Sequence, residues 1–277
     1  MTDPLPDLSD PFPLPAACVD EYRSRGHTVV RGLASVAEVA AQRPAIEKAV
    51  ERHRRERRPL GERDTYGRAF VQVPNLWRRA PIVRAFVHAR RFARVAAELM
   101  GVPGVRLYHD QALFKEAGGG GTPWHQDQYY WPLDTPHTIT LWMPLRDVPP
   151  EVGSMRFASG SHRLGSLADL PISDASHEVL EAEIRQRGLP VESHGPLRAG
   201  DATFHAGWTL HCASANPTPQ GRPVMTVIYF ADGARVMEPD YPARAFDLRA
   251  WLRGCSPGER AAGPLNPLLF GPETSTA

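Results

Sequence analysis

The chain has 277 residues, of which 42% are hydrophobic and 23% charged, enough for one domain with a sizeable core. Its 32 basic and 31 acidic residues leave a formal net charge of +1, which is not typical of proteins that bind nucleic acid or anionic membranes. No apolar run is long enough to span a bilayer, and three scattered cysteines predict neither a zinc ribbon nor a disulfide framework. Residues 1–15 are acidic and rich in proline and lack the basic and apolar regions of a signal peptide. They predict an extended lead-in to a cytoplasmic protein.

Residues 16–104 are predicted to be mostly helical and to support a core that follows them. Helices are expected over 16–25, from a cap at Ser35 to about residue 57, and over about 81–100. A β-branched run predicts a strand over 27–31. The charged end of the second helix resembles a nucleic-acid-binding segment, but the balanced charge of the chain favours a solvent-exposed helix end.

From residue 105 to 232 the sequence is typical of an all-β core. Short β-type runs alternate with Gly, Pro and Asp turns, at 105–114, 138–145, 154–157, 202–205 and 224–230. A polar interruption over 171–189 is predicted to hold a helix. Residues 233–277 form a C-terminal extension that shows no clear pattern. The spacing therefore predicts a mainly β fold with flanking helices, as a double sheet or barrel, in a single domain over 1–277.

A candidate metal site begins at His125 and Asp127. On a strand these two side chains point to the same face, so an imidazole and a carboxylate converge. A third ligand from a distant strand would complete the facial triad of non-haem Fe(II) oxygenases. His211 is the candidate, and His205 is a competitor. Arg222 follows at the start of a β-rich run, where a guanidinium can hold a carboxylate in bidentate fashion; its spacing favours His211.

With these residues placed, the chain resembles the phytanoyl-CoA dioxygenase family of Fe(II)/2-oxoglutarate oxygenases. The resemblance extends over about residues 18–232, with segments in matching order: Gly26–Gly32, Lys115 before a glycine-rich loop, Trp124–Asp127, Leu141–Leu145, Gly153–His162, Gly200-Asp201 and His211…Asn216…Arg222. It implies a double-stranded β-helix (jelly-roll) core and Fe(II) held by His125, Asp127 and His211. It also implies 2-oxoglutarate held by Arg222, with O2 as the third reactant.

Further residues follow from the resemblance as candidate contacts of 2-oxoglutarate. They are Gln111, Trp142, Lys115 and Ser214. Some relatives carry a serine two residues after the distal histidine, where this chain has Ala213.

The aromatic cluster after the metal motif supplies candidate substrate contacts. If the strand alternation continues past Asp127, Tyr129 and Trp131 point to the same side as its carboxylate. We therefore expect one or both to touch the substrate.

The resemblance implies hydroxylation of an unactivated C–H bond of a small organic molecule, with release of succinate and CO2. The arginine- and proline-rich composition suggests a bacterial natural-product intermediate as substrate. The same ligands also permit desaturation, epoxidation or cyclisation. A cupin-like binding protein without turnover and a zinc hydrolase are the competing classes. No basic cluster that would fit a coenzyme A phosphate stands out, and the oligomeric state cannot be predicted.

Overall fold

The computed structural model describes residues 6–272. The helices in this part of the chain are α1 (Ala16–Arg25), α2 (Val36–His53), α3 (Thr65–Ala69), α4 (Pro81–Val87), α5 (Arg90–Met100), α6 (Asp174–Gln186) and α7 (Pro242–Trp251). The strands are β1 (His27–Val30), β2 (Val71–Pro74), β3 (Val105–Lys115), β4 (Thr122–His125), β5 (Thr138–Pro144), β6 (Met155–Ala158), β7 (Val191–Glu192), β8 (Ala202–Ala206), β9 (His211–Ala213), β10 (Arg222–Ala231) and β11 (Leu268–Phe270).

The N-terminal helices follow the sequence pattern with one exception. The predicted cap of α2 is confirmed, because the Ser35 side chain accepts a hydrogen bond from the Glu38 amide at 3.1 Å and the Glu38 carboxylate accepts one from the Ser35 amide at 2.7 Å. The single helix predicted over 81–100 is wrong: it is divided into α4 and α5. Ala89 leaves the helical region at the break, and the rings of Phe86 and Phe92 pack across it at 5.3 Å.

The strands form two antiparallel sheets. The larger sheet has the order β1-β8-β5-β10-β3-β11, and β2 also pairs with β3. The smaller sheet has the order β4-β9-β6-β7. Strands from the N-terminal segment and from the C-terminal extension therefore complete the larger sheet. This arrangement confirms the predicted jelly-roll core with flanking helices.

The two faces of the larger sheet have different roles. Along β5, Leu141 and Met143 are fully buried in the main apolar core, which includes side chains of α2, α4 and α5. The alternate residues Thr140 and Trp142 face the opposite way and line a cavity between the two sheets. The helices therefore cover one face of the sheet and leave the other for the site.

Among residues 6–272, no helix is both long and apolar enough to cross a bilayer.

Candidate metal centre and substrate cavity

Three predicted ligands meet at the edge where the smaller sheet faces the cavity. His125 ends β4 and His211 begins β9; the two residues are register partners, and their ring centroids are 4.0 Å apart. The Nε2 atoms of both rings lie 3.7 Å from Oδ1 of Asp127. One ligand atom from each of the three residues lies within 4.8 Å of the others. Two imidazoles and a carboxylate on one side of a site suit a divalent non-haem metal with open positions.

Hydrogen bonds fix which imidazole nitrogen faces the centre. Nδ1 of His125 lies 2.8 Å from the carbonyl oxygen of Pro123, and Nδ1 of His211 lies 2.9 Å from that of Thr209. Each Nδ1 must donate to its carbonyl, so the Nε2 lone pair is free for a metal. Burial lowers the pKa of His125 to about 3 and that of His211 to about 4, which keeps both rings neutral.

The Asp127 carboxylate is oriented by two neighbours that act on the same oxygen. Thr140 Oγ1 donates to Oδ2 at 2.9 Å, and His205 Nε2 lies 3.2 Å from Oδ2. Oδ1 is left facing the two metal-binding imidazoles. Burial alone would raise the pKa of Asp127, but the surrounding imidazoles, His211 first, lower it below its usual range. His205, the competitor in the sequence, is thus placed as a hydrogen-bond partner of the carboxylate.

The chain segment that carries Asp127 is held by contacts on both sides. The Gln126 side chain points away from the centre and donates to the Trp208 carbonyl at 2.7 Å. The Gln128 amide donates to the Gly207 carbonyl at 2.9 Å. A side chain at Gly207 would place its Cβ 2.3 Å from Thr138 Oγ1, so only glycine permits this close approach.

Arg222 is a buried cation on the cavity wall. Its guanidinium lies over the Trp142 ring at 5.0 Å and donates to the Gly153 carbonyl, and its Nε has no hydrogen-bond partner. No carboxylate of residues 6–272 lies within ion-pairing distance of it. Burial lowers the pKa of Arg222 to about 9. The site therefore offers an uncompensated positive charge to an anionic ligand.

The remaining 2-oxoglutarate candidates divide into two groups. Gln111 and Trp142 line the cavity together with Arg222. Lys115 and Ser214 do not line it, although Lys115 is the register partner of Arg222. Lys115 is buried and donates to the Gly120 carbonyl. Ser214 follows the end of β9 and is exposed, whereas Ala213, the last residue of that strand, lines the cavity.

Of the two predicted substrate residues, one lines the cavity and the other does not. The strand β4 ends at His125, and Asp127–Tyr129 form a 3₁₀ turn, so the strand alternation on which that prediction rested does not continue past Asp127. Tyr129 stacks on Tyr241 at 5.3 Å and lies outside the cavity lining. Trp131 lines the cavity and packs against Tyr108 at 5.4 Å. Tyr130, which the alternation argument passed over, lines the cavity as well.

The cavity has a volume of about 1080 Å³, at the upper end of ordinary ligand sites. Its wall includes residues that no motif of the sequence singles out. The helix α7 contributes Phe246, Asp247 and Trp251, and the N-terminal segment contributes Tyr66 and Phe70. These residues could not be predicted from the metal-binding motif because they lie far from it in the sequence.

A family model described as phytanoyl-CoA dioxygenase (PhyH) matches residues 22–224. The chain belongs to this family. The resemblance in the sequence is thereby confirmed, and with it the predicted class of 2-oxoglutarate-dependent non-haem iron oxygenases.

Individual relatives agree with the family. The structure of SnoK, a non-heme alpha ketoglutarate dependent carbocyclase from nogalamycin biosynthesis, is similar with a TM-score of 0.75 and 27% identity, over 94% of this chain and 99% of that one. The epimerase SnoN, in complex with Fe3+, alpha ketoglutarate and nogalamycin RO, is similar with a TM-score of 0.74 and 28% identity, over 92% and 98% of the two chains.

A curated relative matches a smaller part of the chain. The methylphosphonate hydroxylase of Gimesia maris is 28% identical over 152 residues, 54% of this chain and 54% of that protein. The match spans about half the length of that relative. Iron and 2-oxoglutarate, both predicted as cofactors, are bound by SnoN, and the His125, Asp127 and His211 cluster fits the same metal.

Proposed function

We propose that this PhyH-family member hydroxylates a C–H bond of a small organic molecule, with 2-oxoglutarate and O2 as cosubstrates and succinate and CO2 as co-products. Bound Fe(II) would supply the oxygen activation that no protein side chain can provide. The single observation that carries the proposal is the convergence of three neutral or anionic ligand atoms within 4.8 Å, in a cavity that also holds an uncompensated guanidinium.

Six residues that line the cavity are proposed to bind the metal or the cosubstrate. His125, Asp127 and His211 hold the metal, and Arg222 holds the far carboxylate of 2-oxoglutarate. Arg222 would gain the counter-charge that the described residues do not give it. Gln111 and Trp142 are proposed to complete the cosubstrate pocket, since they line the cavity beside Arg222.

The substrate is proposed to occupy the wider part of the cavity. Trp131 and Tyr130 lie on the chain directly beyond the metal ligand Asp127, and Trp251 and Phe246 form another part of the wall. These large apolar rings suit an aromatic or polycyclic body and exclude water from the reacting end. A bacterial natural-product intermediate is the substrate class that we propose.

Cyclisation is the second candidate reaction. It is favoured by the likeness to the carbocyclase SnoK, which extends over 94% of this chain. The same metal ligands serve both outcomes, because the reaction is decided by which substrate atoms lie nearest the oxidant.

The test is succinate formation by the purified chain supplied with Fe(II), 2-oxoglutarate and O2, with mass spectrometry of added aromatic polyketides. We expect substrate-stimulated succinate release and a product that gains one oxygen atom. A product that instead loses two hydrogen atoms supports cyclisation or desaturation.

A matched pair of variants makes this test specific. Asp127→Ala should abolish succinate formation, whereas Asp20→Ala, which removes an exposed carboxylate of α1, should leave it unchanged. Equal succinate formation by Asp127→Ala and the unmodified chain would refute the proposal, and metal binding without any turnover would favour a cupin-like binding protein.

A further inference from the structure

The outer end of the cavity is lined by basic side chains, although the chain as a whole is nearly neutral. Arg55 follows α2, Arg78 and Arg79 follow β2, and Arg253 follows α7. All four line the same cavity as the metal ligands, and all four are exposed, whereas His125 and His211 are buried. Three segments that are far apart in sequence thus place positive charge around the mouth.

The guanidinium groups of these arginines lack a hydrogen-bond or ion-pair partner in the part of the chain that the structure describes. The side chains of the four make no hydrogen bond or ion pair with another residue of the range 6–272, and the one buried carboxyl on which their charge acts is that of Asp110, through Arg79. Nearby arginines do have partners: Arg57 pairs with Glu51 at 2.6 Å. Unpaired arginines collected around one opening are more than a solvated surface, because like charges repel and are stabilised together only by an anion.

The cavity contains few carboxyl groups that could compensate the charge of these arginines. Among the described residues that line it, only Asp127 and Asp247 carry carboxyl groups. Asp127 faces the metal-binding imidazoles. Asp247 accepts hydrogen bonds from Tyr108 at 2.9 Å and from Trp251 at 3.2 Å, so its oxygens are directed to partners on the wall. Neither compensates the arginines at the mouth.

Aromatic side chains also line the cavity. Phe70, Tyr66, Phe246 and Trp251 line it, and Phe246 is 57% exposed, which is unusual for a large apolar side chain outside a binding surface. The cavity therefore combines a buried metal site, aromatic rings and exposed guanidinium groups.

We propose that this mouth is an anion subsite and that the substrate carries a phosphate or carboxylate group at the end remote from the oxidised C–H bond. The inference rests on the proposed function, because it takes the metal end as the place of oxidation. Guanidinium groups bind both kinds of anion through paired N–H donors. The charge at the mouth also steers such a substrate toward the opening.

The test compares three ligands of one ring system: 2-naphthyl phosphate, 2-naphthoate and 2-naphthol. Each is titrated by calorimetry into the full chain loaded with Fe(II) and 2-oxoglutarate under anaerobic conditions. Because 2-oxoglutarate is bound to Arg222 in these samples, the affinity for the added anion measures binding at the mouth of the cavity. We expect at least one of the two anions to bind about tenfold more tightly than naphthol. The preferred anion distinguishes phosphate from carboxylate recognition.

Variants then locate the effect. An exposed ion pair contributes about 0.2–1 kcal/mol, so each arginine should be worth about 1.5- to fivefold in affinity. The double variant Arg78→Gln/Arg253→Gln should therefore weaken the binding of the anion by about two- to 25-fold and leave the binding of naphthol unchanged. Arg249→Gln removes an exposed arginine of α7 outside the cavity lining and should change neither ligand.

Two failures can be told apart. Naphthol binding as tightly as both anions, or an equal loss in Arg249→Gln, would overturn the anion subsite. Failure of the chain to bind 2-oxoglutarate in the same samples would instead overturn the proposed function.

Discussion

Replacement of Arg222 by methionine should have opposite effects on the free and the ligand-loaded protein. In the free chain the guanidinium is buried without a carboxylate partner, and its pKa falls from 12.5 to about 9. At about 1.36 kcal/mol per pKa unit this difference corresponds to an upper limit of roughly 5 kcal/mol of lost charge stabilisation. Methionine has no charge to bury, but it leaves the Gly153 carbonyl without its donor, which costs about 1–3 kcal/mol.

We therefore expect metal-free Arg222→Met to be more stable than the unmodified chain by about 1–3 kcal/mol. With Mn(II) and 2-oxoglutarate the order should reverse. At one hundred times its dissociation constant the ligand stabilises the unmodified chain by about 2.7 kcal/mol. Loss of one partner of a buried charge pair costs about 2–5 kcal/mol, so the affinity of the variant should fall by about 30-fold to several thousand-fold.

Urea unfolding in the presence and absence of Mn(II) and 2-oxoglutarate measures both effects. Arg249→Met, an exposed arginine outside the cavity, is the control and should match the unmodified chain in every condition. A variant Arg222→Met that is less stable when free, yet gains as much stability from 2-oxoglutarate as the unmodified chain, would refute the reasoning.

Three other substitutions test parts of the site separately. Burial raises the pKa of Asp247 from 3.8 to about 7, so the folded chain binds more protons than the unfolded chain between these values, and the free energy of unfolding falls as pH rises through that range. Asp247→Asn should remove up to about 4 kcal/mol of this fall, seen as a variant more stable than the unmodified chain at pH 8 but not at pH 4; a parallel pH dependence would contradict the assignment. Thr140→Val removes one donor to Asp127 and should weaken metal binding by about 10- to 100-fold, measured by metal titration, with unchanged affinity as the adverse result. Gly207→Ala should destabilise the fold by about 1–3 kcal/mol in urea, because its Cβ would lie 2.3 Å from Thr138 Oγ1; no loss of stability would show that the turn can shift.

The sequence predicts the inner part of the site well because that part is encoded locally. His125 and Asp127 are neighbours on one short segment. His211, followed by Arg222 at the start of a β-rich run, indicates a third metal ligand and a residue that binds a carboxylate. Gln111 and Trp142, which the resemblance to the family singles out, line the cavity.

Reasoning from the sequence pattern fails where the backbone departs from a regular strand or helix. The 3₁₀ turn after Asp127 rotates Tyr129 out of the cavity and brings in Tyr130. No Gly or Pro marks this turn or the break before α5. Tertiary contacts fix both, for example the hydrogen bond from the Gln128 amide to the Gly207 carbonyl.

The outer part of the cavity could not be predicted because it is assembled from distant segments. Arg55, Arg79 and Arg253 come from separate parts of the chain, and Phe246 and Asp247 come from α7, in a region whose sequence shows no clear periodicity. The charge balance of the whole chain hides the local excess at the mouth. Only the folded arrangement shows that the charged segment after α2 borders the site.

The central claim is that His125, Asp127 and His211 hold a single Fe(II) ion. Anaerobic calorimetric titration of Fe(II) into the metal-free chain with 2-oxoglutarate present tests it most directly. We predict one iron per chain, binding that is lost in His211→Ala and retained in the exposed control His137→Ala. Equal affinity and stoichiometry in His211→Ala and the unmodified chain would contradict the claim.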